Sequence, residues 1–158
     1  MNNSYDLSND SPLKANGRFS RFSYIAWNCL MSIVVVAIVA ILTIISPALL
    51  QFPTQSLPLP SLVVFGLIYI ALFYFTIIFT IRRLHDRNHS GWFVLLLLVP
   101  LLNVVLAVYL LFAPGTPAAN NFGSQRPTAG WETALAWLYI IVIIIALISL
   151  AFTGFAVQ

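Results

Sequence analysis

A chain of 158 residues that is 61% hydrophobic and 7% charged lies far from the roughly 25% charge of soluble domains, and it lacks the polar surface needed to fold in water. These values exclude a soluble globular enzyme and predict one integral membrane domain. The net charge of +3 sets Lys14, Arg18, Arg21, Arg82, Arg83, Arg87 and Arg126 against Asp6, Asp10, Asp86 and Glu132. In a membrane protein such a balance reports loop orientation and contact with anionic headgroups rather than nucleic acid.

Residues 1–16 are polar and aperiodic and read as a disordered cytoplasmic tail. Residues 17–24 mix Arg18 and Arg21 with aromatics, which predicts a short interfacial helix carrying both arginines on one face. The first span is expected at about 24–50. It is too long for a signal-peptide core and has no small-x-small exit, so it reads as retained. The only cysteine, Cys29, lies inside this run, leaving no internal disulfide and no thiolate zinc framework.

An uncharged, proline-bearing loop precedes a second span at about 62–81. A third run at 92–112 is interrupted by Pro100 and Asn103, so it is either a kinked span or a re-entrant hairpin. The expectation taken here is the kinked span. After a loop rich in Pro, Gly, Asn and Thr, a fourth span is expected at about 132–155. The predicted fold is all-α, a polytopic four-helix transmembrane bundle. With both termini cytoplasmic, six of the seven Lys and Arg residues face the cytoplasm, as the positive-inside rule asks. A hairpin would instead bring Arg126 to that side and carry the end of the chain outside.

The one dense charge cluster, residues 82–92, sits between spans two and three. Asp86 has Arg82 and Arg83 one turn back and Arg18 and Arg21 within reach of the N-terminal anchor, which predicts a structural clasp rather than a catalyst. Tyr69, Phe73, Thr76, Thr80 and Arg83 share a helical face that grows polar toward the cluster, with the threonines expected to bond backbone or a neighbouring helix. His85 and His89 have the i, i+4 spacing of a zinc pair. The intervening acid is aspartate, arginines crowd the pair and no third ligand is evident, so they read as interfacial loop histidines and no metal or cofactor is expected. Ser90 reads as an N-cap, Gly91 as a sharp turn and Trp92 as an interface anchor. Asn120 to Gly123 reads as a tight turn with positive φ. No ionisable residue lies in the body of a span, which argues against ion-coupled transport, and no catalytic set is recognisable.

The combination Gly17-Arg18-x-Ser20-Arg21-x-x-Tyr24, Arg82-Arg83-Leu84-His85-Asp86, Ser90-Gly91-Trp92, a central proline, then Gly115-Thr116-Pro117 and Asn120-x-Phe122-Gly123 before Pro127 resembles the bacterial inner-membrane family of domain of unknown function 805. The resemblance covers residues 17–127. It departs from the family pattern at Phe22-Ser23, at His89 and in a Gly-x-x-Pro ending longer by one residue. It implies a small inner-membrane protein with no assigned activity, in which residues 128–158 look like an addition. The leading expectation is a non-enzymatic scaffold or accessory subunit of a cell-envelope process. Its cluster of Arg18, Arg21, Arg82, Arg83, His85, Asp86, Ser90, Gly91 and Trp92, with Asn120 and Gly123, would bind a membrane-protein partner, a second copy or anionic lipid. The alternatives are a small oligomeric transporter or channel component and, third, a lipid-headgroup enzyme using His85 and Asp86.

Overall fold

The computed structural model describes residues 10–47 and 59–156, which are helical with no strand among them. Three helices are long and apolar enough to cross a membrane: α1 (Arg21–Ile45), α2 (Leu59–Asp86) and α4 (Gly130–Ala156). At 1.5 Å per residue each is about 38–42 Å long, more than the roughly 30 Å hydrocarbon core, so each tilts or emerges into the headgroups. Between α2 and α4 lie a 3₁₀ helix, Gly91–Leu98, and a short α3, Pro100–Phe112.

Local chemistry sets the helix ends. Ser20 caps α1, its Oγ accepting the Ser23 N–H at 3.1 Å. Helix α2 closes with a Schellman motif: Asn88 takes φ 58°, the Asn88 N–H reaches the His85 carbonyl at 3.0 Å, and the His89 N–H reaches the Leu84 carbonyl at 3.0 Å. Arg83 and His85 occupy its last turn, where the helix dipole favours positive charge. Ser90 then caps the 3₁₀ helix through the Trp92 N–H, and Trp92 is largely exposed, as an interfacial anchor is.

The run 92–112 is not the kinked span predicted. It folds back on itself, so that its two ends lie together against the C-terminal end of α2. His89 Nε2 and the Tyr109 hydroxyl are 2.7 Å apart, and Arg83 Nε donates to the Leu110 carbonyl at 2.8 Å. A continuous span would separate those ends by the thickness of the bilayer. The reason lies at Val99-Pro100. Val99 is extended (φ −101°, ψ 114°), as steric conflict with a following proline favours, and Pro100 starts α3 at a position that needs no N–H. Thirteen residues of α3 rise about 20 Å, well short of the long helices. Leu84, Leu106 and Leu110 form the seam between hairpin and α2.

Two further expectations change. No helix precedes α1 among the described residues. Gly17 takes φ 81°, Phe19 N–H bonds the Arg82 carbonyl at 2.9 Å, and Arg18 and Phe19 are fully buried instead of lying on the interface. Of the expected disordered tail, residues 1–9 lie outside the described residues. Residues 10–16 form turns held to the fold through Asp10 and the Ser11 and Lys14 carbonyls.

Buried residues crowd one end. In α1 they are Ser23, Ala26 and Cys29; in α2 they run from Ile78 to Asp86. A second small core joins Phe19, Ile78 and Phe79 to Trp27 and Phe75. The distal halves of the long helices expose apolar side chains such as Ile44, Leu59, Leu67, Leu147 and Leu150. The start of α1, the end of α2, both hairpin ends and the start of α4 thus meet at one end, and the described basic residues gather there. Substituted-cysteine labelling in a Cys29→Ala background checks this layout. An impermeant maleimide should reach Asn16→Cys and Gln125→Cys from the same membrane face and Pro47→Cys from the other; a spanning third segment would put position 125 opposite position 16.

Candidate functional site: a buried network of arginines and carboxylates

Asp86 ends α2 with its carboxylate 3% exposed and pinned between two guanidinium groups. Arg18 donates to Oδ1 from Nε at 3.1 Å and Nη2 at 2.9 Å, and Arg83 donates to Oδ2 from Nη1 at 2.5 Å. Each arginine spends its other donors on backbone carbonyls. Arg18 Nη1 binds those of Ala118 (2.8 Å) and Gly123 (3.2 Å) and its Nη2 binds Thr116 Oγ1 (3.0 Å), while Arg83 binds those of Leu110, Phe19 and Ala113. The geometry satisfies a buried ion pair that desolvation would otherwise make unfavourable.

The loop after α3 is moulded onto this pair. The Thr116 N–H and hydroxyl both reach the Asp86 carbonyl, at 2.9 and 3.0 Å. A Cβ on Gly115 would stand 2.0 Å from Asp86 Oδ2, so only glycine lets the chain pass there. Asn120 and Gly123 exchange both backbone hydrogen bonds at 3.0 Å, closing the turn expected from the sequence, and Gly123 takes φ 110°. Asn120 Nδ2 donates to the His85 carbonyl at 2.8 Å, and the Phe122 ring stacks on His85 at 3.8 Å. His89 instead faces Tyr109, so the two histidines are engaged by different neighbours. No group of three potential metal ligands occurs among the described residues.

A second network ties in α4. Glu132 lies in its first turn and accepts the Ala129 N–H at 3.0 Å, half of a capping box. The same carboxylate accepts Arg126 Nη1 and Nη2, both at 2.9 Å, Ser23 Oγ at 2.9 Å and Trp27 Nε1 at 2.8 Å. Arg126 also donates to Asp10 Oδ2 at 2.6 Å, and Arg82 grips both Asp10 oxygens at 2.7 and 2.9 Å. Phe19 lies between, with the Arg82 guanidinium 4.2 Å and the Arg126 guanidinium 5.4 Å from its ring centre.

Of the residues singled out from the sequence, Arg18, Arg83 and Asp86 come together as a clasp while Arg82 turns to Asp10, and all four are buried and do not form an exposed binding surface. The donors of Arg18 and Arg83 go to Asp86 and to groups of the loop and backbone, whereas Arg82 keeps a buried Nε with no partner among the described residues. Arg21 stands apart: it is exposed, and its one side-chain hydrogen bond among the described residues is to the Phe112 carbonyl at 3.4 Å. Ser90, Gly91 and Trp92 shape the hairpin entry, where a Cβ on Gly91 would press on Ile81 at 3.1 Å. Sequence reasoning did not place Asp10, Gly115, Thr116, Arg126 or Glu132 in the site, although Gly115 and Thr116 stood among the residues of the family resemblance. The available signal was the pairing of the last loop's only base with an acid six residues later, at the start of a helix.

Burial alone would raise the Asp10 carboxyl, but the hydrogen bonds and charges of Arg82 and Arg126 outweigh it and hold the group below the usual carboxylate range. Burial opposes the charge on Arg126, yet Glu132 and Asp10 raise its pKa further, so it stays protonated throughout. Because the folded pKa of Asp10 is depressed, its contribution is complete above the unfolded value of about 4 and fades as pH falls through the folded one. The thermal midpoint in detergent should drop more steeply as pH falls below about 4 in the wild type than in Asp10→Asn. At neutral pH, Asp86→Ala should cost about 3–5 kcal/mol by leaving two arginines buried and unpaired. Gly115→Ala should cost about 2–3 kcal/mol by steric conflict, while Gly130→Ala, with nothing within 4 Å of its Cβ, should be neutral or better in thermal unfolding.

The family described as "Protein of unknown function (DUF805)" matches residues 12–124. Among curated proteins, the "Inner membrane protein YhaH" of Escherichia coli (strain K12) is 40% identical over 42 residues, 27% of this chain and 35% of that protein. The same protein of Escherichia coli O157:H7 matches to the same extent. The match therefore spans about a third of the length of these relatives. No solved structure matches the chain.

Proposed function

The chain belongs to the DUF805 family, and we propose that it is a non-enzymatic scaffold or accessory subunit of a cell-envelope process in the bacterial inner membrane. The observation that carries this reading is the state of the charged groups. Asp86 and Glu132 each accept hydrogen bonds from groups of their own chain on both carboxylate oxygens, and Arg18, Arg82 and Arg83 are fully buried. Such an end holds elements in fixed relation, with both of these carboxylates already engaged by the fold. What remains outward is a polar rim including Lys14, Asn88, Asn121 and Gln125, and the bare apolar faces of the long helices. A membrane-protein partner fits both at once, the rim giving specificity and the helices close packing.

In this reading the clustered positive charges face the cytoplasm, and all seven Lys and Arg residues of the chain fall on that side of the long helices, which satisfies the positive-inside rule better than four spans would. The end of α4 then faces the periplasm. A second reading, a component of an oligomeric transport path, is favoured by the hairpin, which carries Asn103 in the first turn of α3. It predicts solute flux in vesicles that Asn103→Leu abolishes.

The scaffold reading is tested by photo-crosslinking in native membranes with the reactive residue at exposed Gln125. A discrete protein adduct should form, and it should weaken at least about five-fold in Gly115→Ala, whose clasp is disrupted. Only lipid adducts, or an adduct indifferent to the clasp, would overturn it.

A further inference from the structure

Between α1, α3 and α4 runs a groove of about 650 Å³, within the range of about 300–1,000 Å³ typical of ligand sites. Its walls are almost entirely apolar: Ile25 from α1, Leu111 from α3, and Trp137, Ile140 and Ile143 from α4. Trp137, Leu111 and Ile143 are exposed, so the groove opens sideways toward the surface that the long helices present to lipid. At its cytoplasmic mouth stand Arg21 and Phe112.

Arg21 differs from the neighbouring arginines. Arg18, Arg82, Arg83 and Arg126 each pair with a carboxylate at 2.9 Å or less, whereas Arg21 has no carboxylate partner among the described residues. The acids at this end, Asp10, Asp86 and Glu132, are already enclosed in ion pairs. A cation with no carboxylate partner among the described residues, above a lipid-facing apolar groove, complements one amphiphile, an acyl chain below an anionic head.

We propose that this groove binds an anionic phospholipid, with one acyl chain against Trp137, Ile140 and Ile143 and its phosphate on Arg21. The chain fills space that helix packing leaves open, and what it gains there is close van der Waals contact, since it leaves hydrocarbon rather than water. The headgroup contact selects charge at the interface, where guanidinium and phosphate form short, charge-assisted hydrogen bonds. The groove and the polar rim lie on different elements, so a lipid in the groove and a partner on the rim are read by separate experiments.

Trp137 supplies the readout. The full chain is reconstituted in phosphatidylcholine vesicles doped with dibrominated phosphatidylglycerol or, at the same mole fraction, dibrominated phosphatidylcholine. Bromine quenches a tryptophan in contact with it, and the Trp137 part is the difference between the wild type and Trp137→Phe. Quenching should favour phosphatidylglycerol about five-fold, the effect of one basic residue on an anionic lipid. Arg21→Gln should abolish that preference and Arg21→Lys should keep most of it, with thermal midpoints unchanged because Arg21 is exposed and makes one long hydrogen bond. Equal quenching by both lipids, a preference that survives Arg21→Gln, or a Trp137 that neither lipid quenches because protein fills the groove would each overturn the proposal.

Discussion

The fold depends on one carboxylate held by two arginines. In lipid, apolar helix surfaces gain nothing by leaving their solvent for one another, so association must come from close packing and directional polar bonds. Asp86 supplies the directional part. Through Arg18 it reaches the carbonyls of Ala118 and Gly123; through Arg83 it reaches Phe19, Leu110 and Ala113. Three separate stretches of chain are fixed to the end of α2 by a single ionic centre. The ions are costly to desolvate, and the many donors and acceptors closing around them offset that cost.

This constraint also explains why burial is so uneven. Side chains of α1 are enclosed only in its first third and those of α2 only in its last, where the clasp draws backbone and loop together. Gly115 passes within contact of the Asp86 carboxylate because the loop must present the Thr116 N–H and hydroxyl to the helix-terminal carbonyl of the same residue. The carbonyls at the end of α2 are therefore satisfied both by its own Schellman turn and by sequence-distant groups from Phe19, Thr116 and Asn120, an arrangement suited to the edge of a bilayer.

Composition and apolar run length made the three long helices legible, since a backbone in lipid has few options. The Ser90 cap and the Asn120 to Gly123 turn were legible because side-chain and backbone preferences there are local. The hairpin was not. Pro100 is compatible with a kinked span or a reversal, and what decides is Arg83 reaching Leu110 and His89 reaching Tyr109, contacts between residues 20 or more positions apart. The same limit hid the burial of Arg18. A charge beside an apolar run usually lies on the interface, and only the distant loop carbonyls reveal it as an internal group. Arg126 read as a loop charge for that reason too, although its partner Glu132 is close in sequence.

The two networks divide the chain in an informative way. Arg18, Arg83, Asp86, Thr116, Asn120 and Gly123, which close the first, all lie within the family-matched residues 12–124. The ionic groups that bring in α4, Asp10, Arg126 and Glu132, lie outside it and reach the matched part through Arg82, Ser23 and Trp27. Helix α4 is thus joined to a unit that already closes on itself, by a second set of ion pairs that meets the first across the Phe19 ring. That attachment creates the third wall of the groove below Arg21, because without Trp137, Ile140 and Ile143 the α1–α3 surface would be an open face. A change confined to the second network should therefore alter the groove while leaving the hairpin in place, whereas a change at Asp86 should disturb both.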